Sequence, residues 1–474
     1  CWRGCCAAMS ASAFPSLPAS GRRRCAIVGL GSRHELYRDA ILGRHADTAE
    51  LVGLCDLNAG RIELSRERCR SKAGPAPTGY LAADFDRMLR EQRPEVVIVT
   101  TLDSSHDDYL VRAMEAGCDV ITEKPMTTDA ERCRRILDAC RRTGRRCQVT
   151  FNYRYSPPRS HVKELLMSGE IGDVLSVDFH WLLNTHHGAD YFRRWHARKE
   201  NSGGLLVHKA THHFDLVNWW LGAMPVSVLA TGKRDFYTPA MARRLGLSGP
   251  HERCLDCPEA GTCAFRLDLR ASPGLRSLYL EQERHDGYHR DRCVFRPDID
   301  IEDTMNAIVS YDNGASLSYS LNAFNAWEGY TVAFNGTRGR LEHSVVESVY
   351  INGTESAQGA IVPDSVRIRV IPLRGAARDI KPWSAEGDHG GGDRLMLEDI
   401  FSPGATPDPL RRKADQRAGA CSVLVGIAAN RSIATGAAVR IADLAGALER
   451  PEFATAPSAS IRVPMPAATA PVAA

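Results

Sequence analysis

The chain has 474 residues, enough for two domains and a sizeable core, and its 43% hydrophobic and 25% charged residues exclude a fully disordered, collagenous or coiled-coil protein. Sixty basic against 57 acidic residues leave a formal charge of +3, with no basic tract interleaved with aromatics, so nucleic acid is not the expected partner. Only eight of the 60 basic residues are lysine, which singles each of them out for inspection.

Residues 1–21 read as a disordered or artefactual extension, with Met9 as a candidate start, and they lack the contiguous apolar core of a signal peptide. The longest apolar stretch, residues 418–430 (AGACSVLVGIAAN), is short of the roughly 20 residues that cross a bilayer. A cytoplasmic protein without a membrane partner is the expectation.

Between residues 22 and 150, short apolar runs (CAIVGLG, LVGLCD, VVIVTT, CDVITEK, CQVTF) alternate with amphipathic segments. Such runs read as buried parallel strands and the segments between them as right-handed helical crossovers, which predicts a doubly wound α/β domain. From residue 151 to 450 the strand candidates are longer and alternate in polarity (VLSVDFHWLL, MNAIVSY, ASLSYSL, YTVAFNG, SVRIRVI), with a hairpin signal at Asp312-Asn313-Gly314. This predicts an α+β domain on a large, mainly antiparallel open sheet. A cysteine- and arginine-bearing insert occupies about residues 239–297, and the Pro/Ala-rich tail 451–474 reads as disordered.

Gly29-Leu30-Gly31 directly follows the first strand, where a tight turn brings backbone N–H groups and a helix N-terminus to a pyrophosphate; Ser32 and Arg33 continue it. The third glycine of the usual fingerprint is His34. Asp56 closes the second strand 22 residues beyond His34, where a carboxylate binds an adenosine ribose and repels a 2′-phosphate. NAD is therefore expected, while Arg33 and Arg61 keep NADP open. The fourth strand ends at Thr100-Thr101, with His106 five residues on, and the fifth runs into Glu123-Lys124-Pro125. Strand carboxyl ends line the cofactor crevice, so Thr100, Thr101, His106, Glu123 and Lys124 are cofactor-side candidates.

Residues 186–196 (HHGADYFRRWH) combine donors with aromatic surface, as a sugar pocket does, and offer His187, Arg194, Trp195 and His196; a polar loop anchored by Tyr191 and Trp195 is the other reading. In residues 202–222 (SGGLLVHKATHHFDLVNWWLG), His208, Lys209, His212, His213 and Asp215 sit among apolar residues, where unpaired polar groups are costly. His208 and His212 share a helical face by their spacing of four. Within the insert, Cys254, Cys257, Cys263 and Cys293 form C-x2-C-x5-C-x29-C, which suits a structural tetrahedral zinc site; an iron–sulfur cluster uses the same four ligands.

The GxG turn, the EKP motif, NYRY at residues 152–155 and the GG...HxxD stretch together resemble the Gfo/Idh/MocA oxidoreductases over about residues 22–450. The resemblance implies a Rossmann domain followed by an α/β domain whose open sheet mediates homodimers or homotetramers. It also implies NAD(P)-dependent oxidation or reduction of sugars, inositols and related polyols. By resemblance Lys124 is the active-site lysine and His212 the proton-transfer histidine. Lys209 and His208 support them, and Asn152, Arg154, His213 and Asp215 join the substrate contacts. His208 stands where the family often has aspartate, and Ala210 where it has glycine. Hydride transfer from a secondary hydroxyl is the leading activity; redox-neutral glycoside cleavage through a transient ketone, and a silent NAD-binding sensor, are the alternatives.

Overall fold

Uninterrupted apolar runs form six short strands: β1 (Arg23–Val28), β2 (Ala49–Asp56), β3 (Thr78–Leu81), β4 (Val96–Val99), β5 (Asp119–Thr122) and β6 (Cys147–Val149). All four side chains of β4 are buried because helices cover both faces of the sheet. In this computed structural model, which describes residues 21–73, 76–348, 359–384, 389–402 and 408–454, the six strands pair in parallel in the order β3-β2-β1-β4-β5-β6. The order reverses between β1 and β4, which opens a crevice beyond their carboxyl ends. The expected doubly wound domain is borne out. Residues 1–20, with Met9, and the tail from 455 onward lie outside the described residues.

The second sheet contains β7 (Val174–Asn184), β8 (Pro225–Lys233), β9 (Thr304–Tyr311), β10 (Ser316–Asn325), β11 (Glu328–Gly336), β12 (Gly339–Glu347), β13 (Arg367–Pro372) and β14 (Arg378–Ile380). Later in the chain, β15 (Ala414–Asp415) pairs antiparallel with β6 and β16 (Val439–Arg440) with β8. The second sheet runs β14-β13-β12-β11-β7-β10-β9-β8-β16, antiparallel throughout except where β7 lies parallel to β10. Alternation along β9 buries every second side chain against the helices and leaves the others on an open face. Gly314, at φ +85°, closes the β9–β10 hairpin foreseen at Asp312-Asn313-Gly314.

The apolar stretch at residues 418–430 belongs to a longer helix, Gln416–Thr435, which is long and apolar enough to cross a membrane by length and composition. Its polar ends explain the difference: the Asp415 side chain caps it by accepting from the N–H groups of Arg417 and Ala418, and it continues to Gly436. The helix is mostly buried under the second sheet. A Cβ on Gly426 would lie 2.3 Å from the carbonyl oxygen of Leu206, so the helix packs there backbone to backbone.

The insert leaves the sheet between β8 and β9 and returns to the same antiparallel pair. Its own core is small: Leu267, Leu269, Leu275, Leu278 and Tyr279. It folds back over the β2 end of the first sheet. There Asn58 donates to the carbonyl of Gln282 at 3.0 Å, Arg61 pairs with Asp286 at 3.0 Å, and Gly60 leaves room for Gln282 and His285.

Candidate active site

Gly29, at φ +88°, packs so closely on the end of β4 that a Cβ would lie 2.6 Å from the Thr100 carbonyl carbon and Thr101 nitrogen. Glycine is required by that approach. Gly31 faces open space instead, with nothing within 4 Å of its Cβ position. The first glycine thus fixes the turn and the second keeps the approach to the helix N-terminus clear, as a dinucleotide pyrophosphate requires. Ser32 N–H donates to the hydroxyl of Tyr279 at 3.3 Å, a long bond from the group that would face a phosphate. The Asp56 carboxylate accepts from the backbone N–H groups of Leu30 and Asn58, tying the β2 end to this turn, while burial pushes its pKa up. His34, in the third-glycine position, is buried and bonded to the Gly31 carbonyl and Ser65; burial lowers its pKa to about 3, so it adds no charge. These features fit NAD.

Thr100 Oγ1 donates to the Gly29 carbonyl, and Ser105 Oγ donates to Thr101 Oγ1. Both ring nitrogens of His106 face backbone carbonyls, Thr101 at 3.2 Å and Pro125 at 3.0 Å. His106, expected to contact the cofactor, instead braces the ends of β4 and β5. Glu123 accepts from Arg33 Nε at 2.7 Å and from the Tyr37 hydroxyl, and Arg33 reaches on to Asp393 at 3.3 Å.

The Lys124–Pro125 peptide is cis. Lys124 Nζ donates to the His208 carbonyl at 3.3 Å, so the amine from β5 meets the second domain across the crevice. Burial pulls its pKa down to about 8, opposed by Asp103 and reinforced by Lys209. Asp103 also lies 2.5 Å from His208 Nδ1. Burial disfavours charge on either member of that pair, raising the carboxyl and lowering the imidazole. His196 stacks on Trp195 with ring centroids 3.6 Å apart and meets His208 edge-on at 4.3 Å.

His212 stacks on Tyr153 at 4.4 Å, and its buried Nδ1 has no hydrogen-bond partner. Burial, followed by the charges of Lys124 and Lys209, holds its pKa well below the usual value, so the ring is neutral. Lys209 Nζ sits 4.5 Å from the centre of the Trp181 ring, its lowered pKa set by burial and partly restored by Glu328 and Glu347. His187 contacts Glu328 at 2.5 Å and Tyr191 at 3.1 Å. Arg194 pairs with Asp190 at 3.3 Å, beside the bidentate Arg290–Asp190 pair at 2.6 and 2.9 Å.

Three expected substrate contacts belong to the core instead. Arg154 and Asp215, each 1% exposed, form a bidentate pair at 2.7 and 2.6 Å, with the guanidinium between the rings of Phe151, Trp219 and Phe453. Burial raises the Asp215 carboxyl to about 6, against the opposing charge and hydrogen bonds of Arg154. His213 bonds Tyr319 at 2.7 Å and stacks on Trp181 at 4.2 Å, because adjacent helical positions point in different directions. Asn152 is engaged by Asp393 at 2.7 Å. Asp393 also accepts from His389 at 2.8 Å and gathers Arg33, Asn152 and His389 into one buried network.

Sequence reasoning missed Asp103, Tyr279, Arg290, Glu328, His389 and Asp393. Only His389 and Asp393 carried a local signal, the run His389-Gly390-Gly391-Gly392-Asp393. There a Cβ on Gly392 would lie 2.2 Å from the Asn152 carbonyl oxygen, so glycine permits the close pass against NYRY.

Residues 23–151 match the family model described as the oxidoreductase family's NAD-binding Rossmann fold, and residues 163–441 match its C-terminal alpha/beta domain. YteT of Bacillus subtilis (strain 168), named as an oxidoreductase, is 37% identical over 423 residues, spanning 86% of this chain and 95% of YteT. The scyllo-inositol 2-dehydrogenase (NAD(+)) of the same strain is 28% identical over 211 residues, 44% of this chain and 57% of that enzyme. The fold is also that of the WlbA dehydrogenase from Bordetella pertussis, solved with NADH and UDP-GlcNAcA: TM-score 0.58, 20% identity, covering 88% of this chain and 98% of that one. The chain belongs to the Gfo/Idh/MocA family of NAD-binding oxidoreductases.

Proposed function

We propose that the protein is an NAD-dependent dehydrogenase acting on a secondary hydroxyl of a sugar, cyclitol or glycoside. One arrangement carries the reading: the Lys124 amine held at the crevice by the His208 carbonyl, with the neutral imidazole of His212, its Nδ1 unpartnered, on the adjoining helix. When bound, NAD supplies the hydride acceptor. The backbone of residues 29–32 would hold its pyrophosphate and Asp56 its adenosine ribose. NAD is favoured over NADP because Asp56 repels a 2′-phosphate. Arg33 and Arg61, which could receive one, are already paired with Glu123, Asp393 and Asp286.

Lys124 has donors to spare after its bond to His208, and its ammonium would lower the pKa of a substrate hydroxyl placed against it. His212 would take the hydroxyl proton on a ring nitrogen. Its surroundings keep it unprotonated beforehand and favour passing the proton on afterwards. His208, with Asp103, and Lys209, over Trp181, are positioning groups behind these two. The relative named as a scyllo-inositol 2-dehydrogenase supports a polyol substrate. Assembly of copies through the open sheet face is part of the same reading, supported by Leu229 and Ile308, both exposed and paired across β8 and β9.

A panel of polyols and glycosides with NAD, read at 340 nm and by product chromatography, tests the proposal. NADH appearing in step with a keto product is expected; glycoside cleavage without NADH would contradict it.

A further inference from the structure

We propose that Cys254, Cys257, Cys263 and Cys293 bind one zinc ion through four thiolates, and that this ion holds the insert against the cofactor domain. All twelve described cysteines are free. Eight are buried, as small apolar core residues are. The four in the insert are the partly exposed ones, and all of them line a single cavity, together with Arg253 and Phe265. The enclosed part of the cavity is water-sized, room for one ion.

The backbone brings the four together from distant points in the chain. Arg253 and Arg292 form an antiparallel bridge, flanked by the bonds of Cys254 N–H to the Asp291 carbonyl at 2.8 Å and of Cys293 N–H to the Glu252 carbonyl at 2.9 Å. Cys257 N–H returns to the Cys254 carbonyl at 3.3 Å, closing the C-x2-C turn. Backbone N–H groups of Leu267 and Phe265 approach the sulfurs of Cys254 and Cys263, as outer-shell donors do at metal–thiolate sites. Arg193 lies 3.8 Å from Cys254 Sγ, a positive charge beside the dianionic centre that four thiolates and Zn²⁺ would make once the thiol protons are released. Among the described residues no three His, Cys, Asp or Glu side chains already stand at metal-ligand spacing. The thiols ring the cavity, and zinc would draw them to about 2.3 Å from one point.

The site has a clear structural task. Beyond Ala242, Val294 and Phe295, which join the main core, the insert has a separate core of only five residues, yet it presents Tyr279 to Ser32 at the cofactor turn and Asp286 to Arg61 on the helix after β2. A metal supplies the missing cohesion. The link to NAD rests on the proposed function; the metal content does not.

The test uses the full chain purified without chelator. Elemental analysis is expected to find about one equivalent of zinc, and cobalt exchange should give thiolate-to-cobalt charge-transfer bands with intense tetrahedral visible absorption. C257S and C293S should lose the metal and C118S should keep it. If the first two fail to fold, the cobalt spectrum of the unaltered protein decides. Less than about a tenth of an equivalent in folded protein, iron–sulfur absorption, or a disulfide among the four would overturn the assignment. Chelator removal of the zinc is expected to weaken NAD binding measured by calorimetry; unchanged affinity would overturn the stapling role alone.

Discussion

The two walls of the crevice are held by different forces. The wall formed by β1, β2, β4 and β5 rests on apolar strands in parallel register, which set Gly29, Asp56, Thr100 and Lys124 at carboxyl ends of the sheet. The wall formed by the insert has a separate core of only five residues, with Ala242, Val294 and Phe295 joining the main core, and leans on side-chain pairs: Arg290 with Asp190, Arg61 with Asp286, and Arg253 with Glu283 and Asp291. A backbone-built wall can lose a functional side chain without losing its shape. A side-chain-built wall joins stability and function in the same residues.

The sharpest way to break this comparison is to remove the chemistry itself, Lys124 at the end of β5 and His212 on the helix of the second domain that faces it. K124A and H212A should each lower turnover by about 10²–10⁴-fold, the contribution of general acid/base groups, with NAD affinity and thermal midpoint little changed. Near-normal turnover in either variant would place the chemistry elsewhere, and unfolding of K124A would contradict the comparison. On the insert side the outcome should reverse. R290M leaves Asp190 short of a buried partner and should cost about 3 kcal/mol in urea denaturation, the lower end expected for breaking a buried pair, because Arg193 and Arg194 still face Asp190. A cost under about 0.5 kcal/mol, the size of an ordinary surface change, would show that the insert does not depend on that pair. A smaller effect is expected from D56A, which should weaken NAD about tenfold, the value of one hydrogen bond to a charged group, and narrow the preference over NADP in calorimetry. Tighter NADP binding by the unaltered protein would reverse the cofactor assignment.

The same contrast explains what could be read from the sequence. The order of strands and helices, the GxG turn, Asp56 and the Lys-Pro step at the end of β5 follow from hydrophobic period and turn chemistry, which are local. The apolar run at residues 418–430 understates the Gln416–Thr435 helix because the helix ends are polar. His212 and His213 are adjacent and equivalent as letters, yet one stacks on Tyr153 beside the Lys124 charge and the other is sealed between Trp181 and Tyr319. Arg154 and Asp215 looked like ligand contacts because buried polar residues need partners; the partner of each is the other. Asp103, Tyr279 and Arg290 gain their roles only from contacts across more than 80 residues of chain, and no local pattern announces those.

The most direct test of the central claim is the pH profile of kcat/KM for oxidation of whichever polyol or glycoside the panel selects, compared between the unaltered protein and K124R. Lys124 is an ammonium below its lowered pKa of about 8 and His212 is neutral well below the ordinary histidine range. The unaltered protein should therefore keep its rate below as well as above about pH 6.5, the ordinary histidine value, and lose it as pH rises through about 8. In K124R the guanidinium stays charged, so the remaining, lower activity should show no such fall. A fall that persists unchanged in K124R would contradict the assignment of substrate polarisation to Lys124.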